Sequence, residues 1–257
     1  MTKRESRVQA ATSRRDFLTR LGASATGALF APGLLAQGLE AAESRAGSLR
    51  IGIIGAGRIG GAVGLQWARA GHEILFSSRH PEELSELVER AGPRTRAGLP
   101  DEAARFGEVV MIAVPYGALP QVGNDYAPLM RGKVVIDCSN PYPDRDGPMA
   151  QVALDKGTGI ASAEYLPGVR LIRAFNAINY RSVESEAHRP GVKVAIPIAG
   201  DDEEAVRITS ELVVDAGFEP VVVGPLERAF TFDQGSDVYV TNMTAPQLRI
   251  VLDLPQP

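Results

Sequence analysis

A single cysteine, Cys138, and three scattered histidines, His72, His80 and His188, are all that the 257 residues offer a soft metal. One cysteine excludes an internal disulfide and any cysteine-cluster metal site, and the histidine spacing makes no zinc pattern. Basic excess is missing too. Lys and Arg number 27 against 31 Asp and Glu, a net charge of −4, so no nucleic-acid partner is expected. No Ser/His/Asp or Lys/Tyr constellation points to nucleophilic or proton-relay chemistry. Beyond an alternation of strand and helix patterns there is no internal repeat. Cys138 ends the run Val134-Val135-Ile136-Asp137-Cys138 and reads as a buried small hydrophobe rather than a nucleophile.

What is present centres on residues 49–61, a short apolar strand running into Gly55-Ala56-Gly57-Arg58-Ile59-Gly60. This G-x-G-x-x-G has the context that gives it meaning: a strand before it, a helical pattern over residues 62–70 after it, and a second apolar strand over residues 73–76. Gly55 permits the tight turn. Gly57 lets the backbone approach a pyrophosphate, and Gly60 lets the helix pack closely on the sheet. The unpaired first-turn N–H groups of that helix would face the phosphates. Beyond the second strand, where an NAD site usually carries a carboxylate, stand Ser77, Ser78 and Arg79. Two hydroxyls and a guanidinium suit a 2′-phosphate, so NADP(H) is favoured over NAD, with His80 as a helper. The competing reading is a polar loop in which Ser78 caps a helix beginning near Pro81.

Eight strands are expected in all. The others are a short one at residues 95–97, then 109–114, 132–137, 168–176, 192–199 and 218–223. Helices are expected over 81–91, 99–106, 119–130 with an interruption near Pro128, and from an Asp201 or Asp202 cap to about Ala216. Residues 144–159 read as a loop with a weak helix. The pattern is an α/β fold: a Rossmann-type, doubly wound, mostly parallel sheet at residues 47–223, in one domain with a small C-terminal extension at 224–257. Ligands bind such sheets at the carboxyl ends of the strands. That places Val114, Pro115 and Tyr116 along the cofactor, Asn140 beside the nicotinamide position, and Ala174 and Phe175 at the end of their strand, close to where a substrate ring would stack. Tyr116 either meets a ring or is a half-buried loop aromatic. Asn140 either bonds a carboxamide or substrate carbonyl, or simply turns the chain before Pro141.

Residues 1–46 stand apart. Ser13-Arg14-Arg15-Asp16-Phe17-Leu18 resembles the twin-arginine export signal, and residues 21–39 carry no charge and are broken by glycine and proline. Such a segment suits a signal peptide better than a membrane span, so no stable span is expected after cleavage. The export machinery is then a partner, and the mature chain is expected to be periplasmic or extracellular.

Taken together, the glycine loop, Ser77-Ser78-Arg79, Val114-Pro115-Tyr116, Asp137 with Asn140-Pro141, Arg173-Ala174-Phe175-Asn176 and Ala199-Gly200-Asp201-Asp202 resemble the NADPH-dependent coenzyme F-420 reductase family. The dinucleotide domains of the six-transmembrane metalloreductases and, more distantly, the pyrroline-5-carboxylate reductases are similar. The resemblance implies NADPH along the first β-α-β unit, its nicotinamide near Asn140 and Ala174, and a flat flavin or deazaflavin as the small-molecule redox acceptor. It implies no side-chain acid or base, since direct hydride passage needs apposition and exclusion of water. A non-catalytic NADP(H)-binding module stands as the alternative, with an imine or ferric reductase further off. A homodimer across the C-terminal strands is a further expectation. If the export reading is right, N-terminal sequencing of the native protein should find a start between residues 37 and 47; an intact Met1 or Thr2 end would contradict it.

Overall fold

Eight strands and ten α-helices alternate along residues 47–256, the part of the chain that the computed structural model describes. The expected export signal at residues 1–46 lies outside the described residues. The strands are β1 (Arg50–Ile54), β2 (Glu73–Ser77), β3 (Thr95–Gly98), β4 (Val109–Ile112), β5 (Val134–Asp137), β6 (Arg170–Arg173), β7 (Ala195–Gly200) and β8 (Glu219–Gly224). They form one sheet in the order β3-β2-β1-β4-β5-β6-β7-β8. Strands β1 to β6 run parallel, β7 pairs antiparallel with β6, and β8 follows β7 in parallel. The chain is therefore the expected doubly wound, mostly parallel α/β fold. Its order reverses between β1 and β4, and the loops that leave those two strands open the crevice where such sheets bind ligands.

The strand sequences explain their place. All four residues of β4 and all four of β5 are buried, as a strand covered on both faces requires. The period of two then divides the core. Ile51 and Ile53 join Trp67 of helix α1 (Arg58–Arg69) and Leu212, which belongs to the long helix Glu203–Asp215. Ile54, Val110 and Ile112 join Leu119 and Val122 of the helix Leu119–Met130 on the other face. Trp67 ties the first layer together: its Nε1 donates to the Leu212 carbonyl at 2.8 Å. Asp202 is the cap of the Glu203–Asp215 helix, accepting from Ala205 N at 2.8 Å, while Asp201 accepts from Leu226 N at 2.9 Å.

Several local expectations change. Strand β4 stops at Ile112 and β6 at Arg173, short of the apolar runs that continue past them, because those next residues leave the sheet to build the cleft. Residues 144–159 are largely helical, in the segments Pro143–Asp146, Pro148–Lys156 and Thr158–Tyr165, the first two opened by prolines that need no N–H partner. Pro128 does not interrupt its helix, since it lies in the last turn before Met130. Residues 224–256 are folded into the same compact body: Phe232, Val238, Leu248 and Leu252 form a third core with Val221 and Val223 of β8.

One buried cation joins these parts. Arg173, at the end of β6, has no exposed surface. Its Nη1 donates to Asp137 Oδ2 at 2.7 Å and to the Ser139 carbonyl at 2.8 Å, and its Nη2 donates to Asp233 Oδ1 at 3.0 Å. Burial alone would lower the guanidinium pKa, but the Asp137 and Asp233 carboxylates outweigh it and raise it. The carboxylates have further donors. Ser139 serves Asp137 through N–H and hydroxyl at 2.9 and 2.6 Å, and Thr158 and Asn176 serve Asp233. Removing one member of a buried ion cluster strands the others, typically at about 3–5 kcal/mol. We expect Arg173→Leu to lose about that much in urea unfolding at neutral pH; a loss below about 1 kcal/mol, the range of an exposed pair, would contradict the role.

Candidate functional site

A cleft of about 440 Å³ opens at the carboxyl ends of β1, β4, β5 and β6. Six of the residues expected to bind the cofactor line it, Gly57, Arg58, Ile59, Val114, Pro115 and Asn140, as does Phe175, expected at a stacking position. The glycine loop explains its own wall. Gly55 turns at φ 94°, a conformation that side chains rarely adopt. Gly60 packs so tightly that an added Cβ would sit 2.3 Å from the Gly55 carbonyl oxygen. Gly57 is different: a Cβ there meets nothing within 4 Å, so the backbone borders open space. Gly57 precedes α1 without a side-chain cap, and the first turn of α1 carries no acidic residue. Unpartnered N–H groups and open room beside them are what a pyrophosphate needs. Ala56 lies beneath the loop, its N–H donating to the Ser77 carbonyl at 2.8 Å.

The end of β2 carries the second expected contact. Ser77 is paired in register with Ile54, so the loop after β2 emerges beside the glycine loop. Arg79 is exposed there, and no ion pair engages it among the described residues. Ser78 is half-buried; its Oγ accepts from the His80 N–H at 3.1 Å, a local turn bond that leaves its hydroxyl hydrogen free to donate.

Three residues do not stand where a ligand would meet them. Ser77 is fully buried, and its hydroxyl donates to the Ile53 carbonyl at 2.7 Å, so it serves the sheet and not a ribose phosphate. Tyr116 is fully buried beneath the loop after β4. Its ring meets Tyr165 edge-on at 6.4 Å and its hydroxyl lies 3.4 Å from Ser162 Oγ. Burial pushes its phenol pKa up, so it stays protonated. Ala174 is also fully buried, its methyl in the core. Phe175, expected beside it, lines the cleft, and so does the next residue, Asn176.

Phe175 and Asn176 are set firmly. Phe175 has φ 60° and is buried edge-on against Trp67 at 5.7 Å. Asn140 Nδ2 donates to the Asn176 carbonyl at 2.8 Å, and Asn176 Nδ2 donates to Asp233 Oδ1 at 3.1 Å. That leaves Asn176 Oδ1 buried with no partner. A buried acceptor without a protein partner, in a residue that lines the cleft, fits a donor such as a carboxamide. Arg145, absent from the expected set, donates to the Asn140 carbonyl at 2.8 Å and forks onto Asp146 at 2.9 and 2.7 Å. Burial would raise the Asp146 pKa, but the Arg145 guanidinium and the Tyr142 and Gly117 N–H groups hold it below the usual range.

Further wall residues carried little sequence signal. Tyr142 sits in Asn140-Pro141-Tyr142-Pro143, a turn cluster whose aromatic could have been flagged. Tyr239 and Val240 come from the irregular C-terminal segment, 97 residues from Tyr142 to its bonded partner Tyr239. Cys138 touches the cleft as a buried group. Its thiol donates to the Ile112 carbonyl at 3.3 Å, and burial pushes its pKa up, so it is no nucleophile. The cleft lining holds no carboxylate, histidine or lysine among the described residues.

Known proteins resemble this chain in the same region. Residues 50–141 match the family model described as NADP oxidoreductase, coenzyme F420-dependent. The F420-dependent NADP reductase of Methanothermobacter marburgensis is 30% identical over 181 residues, spanning 65% of this chain and 80% of that protein. Among solved structures, a hypothetical protein from Sinorhizobium meliloti aligns with a TM-score of 0.65 at 24% identity, covering 78% of this chain and 97% of that one. A candidate F420-dependent NADP reductase from Arthrobacter sp. FB24 aligns with a TM-score of 0.60 at 19% identity, covering 71% and 88%. Those two structural likenesses concern the fold. With the open glycine loop, the crevice at the reversal of strand order and a homologue matched over most of its length, the chain belongs to the family of NADP oxidoreductases described as coenzyme F420-dependent.

Proposed function

We propose that this oxidoreductase passes hydride between NADP(H) and a flat flavin or deazaflavin ring lying over the nicotinamide. The observation that carries the reading is the cleft itself. It reaches from an uncapped helix start with open room at Gly57 to Asn176, whose Oδ1 has no protein partner among the described residues; its walls hold no carboxylate, histidine or lysine, and the hydroxyls of two of its tyrosines, Tyr142 and Tyr239, are bonded to each other. Such a lining suits a transfer that needs two rings held face to face and no proton relay. NADPH, when bound, would supply the hydride.

The protein's residues divide the work of holding it. The Gly57 backbone and the first turn of α1 would take the pyrophosphate. Ser78 and Arg79 would take the 2′-phosphate through charge-assisted bonds. Asn176, held through Asn140 and Asp233, would orient the carboxamide, and buried Phe175 would keep that end of the cleft dry. A volume of about 440 Å³ is in the range of small-molecule sites (roughly 300–1,000 Å³). The proposal extends to location: the Arg14-Arg15 signal supports export of the folded chain, with its nucleotide already bound, by the twin-arginine route.

The test compares nucleotides and acceptors. Arg79→Ala should weaken NADPH binding by about tenfold or more and NADH binding by less than about twofold, as the loss of a charge-assisted contact implies. Gly57→Ala should leave the melting temperature unchanged, since its Cβ meets no protein atom, and still weaken both nucleotides. Under anaerobic mixing, the wild-type protein should oxidise NADPH with a 5-deazaflavin or FMN as acceptor. Equal effects of Arg79→Ala on both nucleotides would refute the NADP assignment, and failure with every ring acceptor would refute the hydride reading.

A further inference from the structure

The turn at residues 238–242, which puts Tyr239 and Val240 on the cleft, carries an unusual backbone. Val240 has φ 59° and Asn242 φ 53°. Asparagine tolerates the left-handed region, whereas a β-branched residue there is a true outlier. Phe175 adopts φ 60° on the same cleft, but it is 1% exposed and packs on Trp67, so its burial offsets the strain. Val240 has no such compensation, being 38% exposed. Its neighbours hold it in place. The Val240 N–H donates to the Ala177 carbonyl at 2.9 Å, the Thr241 hydroxyl to the Val238 carbonyl at 2.8 Å, and Asn242 Nδ2 to Ser182 Oγ at 2.9 Å.

Beside it, the Tyr239 hydroxyl is hydrogen-bonded to that of Tyr142. The Tyr142 ring lies 4.8 Å from the Arg145 guanidinium, and Arg145 is anchored by Asp146 and the Asn140 carbonyl. The C-terminal turn is thereby braced against the loop after β5, the same loop that supplies Asn140. Burial and the Tyr142 bond push the Tyr239 phenol pKa up, which keeps Tyr239 protonated. Strain held by surrounding bonds around an uncovered apolar side chain points to a function at that side chain. The groups proposed above for the phosphates and carboxamide of NADP(H) lie on the loops after β1, β2, β5 and β6, and a valine would offer those polar groups nothing.

We propose that Tyr239 and Val240 form the acceptor wall of the cleft: Val240 is the apolar contact for the face of a flat ring acceptor, and the Tyr142–Tyr239 hydroxyl pair is a positioning brace that fixes how far that wall stands from the nicotinamide. This rests on the hydride reading above. An acceptor held too loosely loses the near-contact apposition that ring-to-ring transfer requires.

Two variants test it in the full-length protein, with FMN and a 5-deazaflavin as acceptors. Val240→Gly removes the side chain and accepts its φ without strain, so its melting temperature should equal or exceed that of the wild type. Its KM for the acceptor should rise by about tenfold or more, as loss of an apolar contact can produce, while the NADPH dissociation constant stays within about twofold. Tyr239→Phe leaves the backbone alone and breaks only the hydroxyl pair; kcat with saturating acceptor should fall while NADPH binding holds. An active wild type whose acceptor KM is unmoved by Val240→Gly and whose kcat is unmoved by Tyr239→Phe would overturn the wall and leave the hydride reading standing. Equal losses in NADPH and acceptor binding would also overturn it, because the wall would then serve the nucleotide. A wild type inactive with both acceptors would overturn both readings.

Discussion

The buried Arg173 guanidinium is the constraint on which the site depends. It lies between Asp137, at the end of β5, and Asp233, in the C-terminal segment, with the Ser139 carbonyl as a third partner. A charge taken out of water is stable only if its partners are close and themselves satisfied. Here the requirement fixes three pieces of backbone at once: the carboxyl ends of two neighbouring strands and a segment 60 residues further along the chain. Asp233 then positions Asn176, and Asn176 accepts from Asn140, so the cleft floor inherits its geometry from the ion cluster beneath it. The residues that would meet a nicotinamide are therefore held by groups that never touch it.

Strain and burial are allotted unevenly around this floor. Phe175 adopts a left-handed backbone and is held by core packing, whereas Val240 adopts one and stays exposed. The loop after β4 puts Val114 and Pro115 on the cleft but turns Tyr116 inward. These choices leave a lining of backbone amides, amide side chains, arginines and aromatic or aliphatic surface. Such a lining can hold and desolvate two rings, while the strong ionic interactions stay below the surface.

Much of the fold was legible from sequence because it follows from periodicity and glycine chemistry. The short apolar runs at β1, β4 and β5 fit strands buried on both faces, and the Gly55-Ala56-Gly57-Arg58-Ile59-Gly60 turn fits between a strand and a helix packed against it. The antiparallel entry of β7 was not legible, since strand direction leaves no mark on side-chain pattern. Nor was the ion cluster, whose members lie 36 and 60 residues apart and carry no motif. Ser77 and Tyr116 show a different limit. Both hold the right sequence position for a ligand contact, but alternation along β2 turns the Ser77 hydroxyl to the sheet, and a short helical turn after β4 turns Tyr116 into the core. The C-terminal segment was illegible because its buried residues, Phe232, Val238, Leu248 and Leu252, follow no single period.

The central claim is that hydrogen moves directly between two rings stacked in this cleft. NADPH carrying deuterium at both C4 positions, mixed anaerobically with the protein and a 5-deazaflavin in ordinary water, tests it most directly, because the accepting ring position is carbon and retains what it receives. The account predicts a reduced deazaflavin heavier by a single deuterium on the ring. Reduced deazaflavin without the label would contradict it, since the hydrogen would then have come through solvent or a protein group.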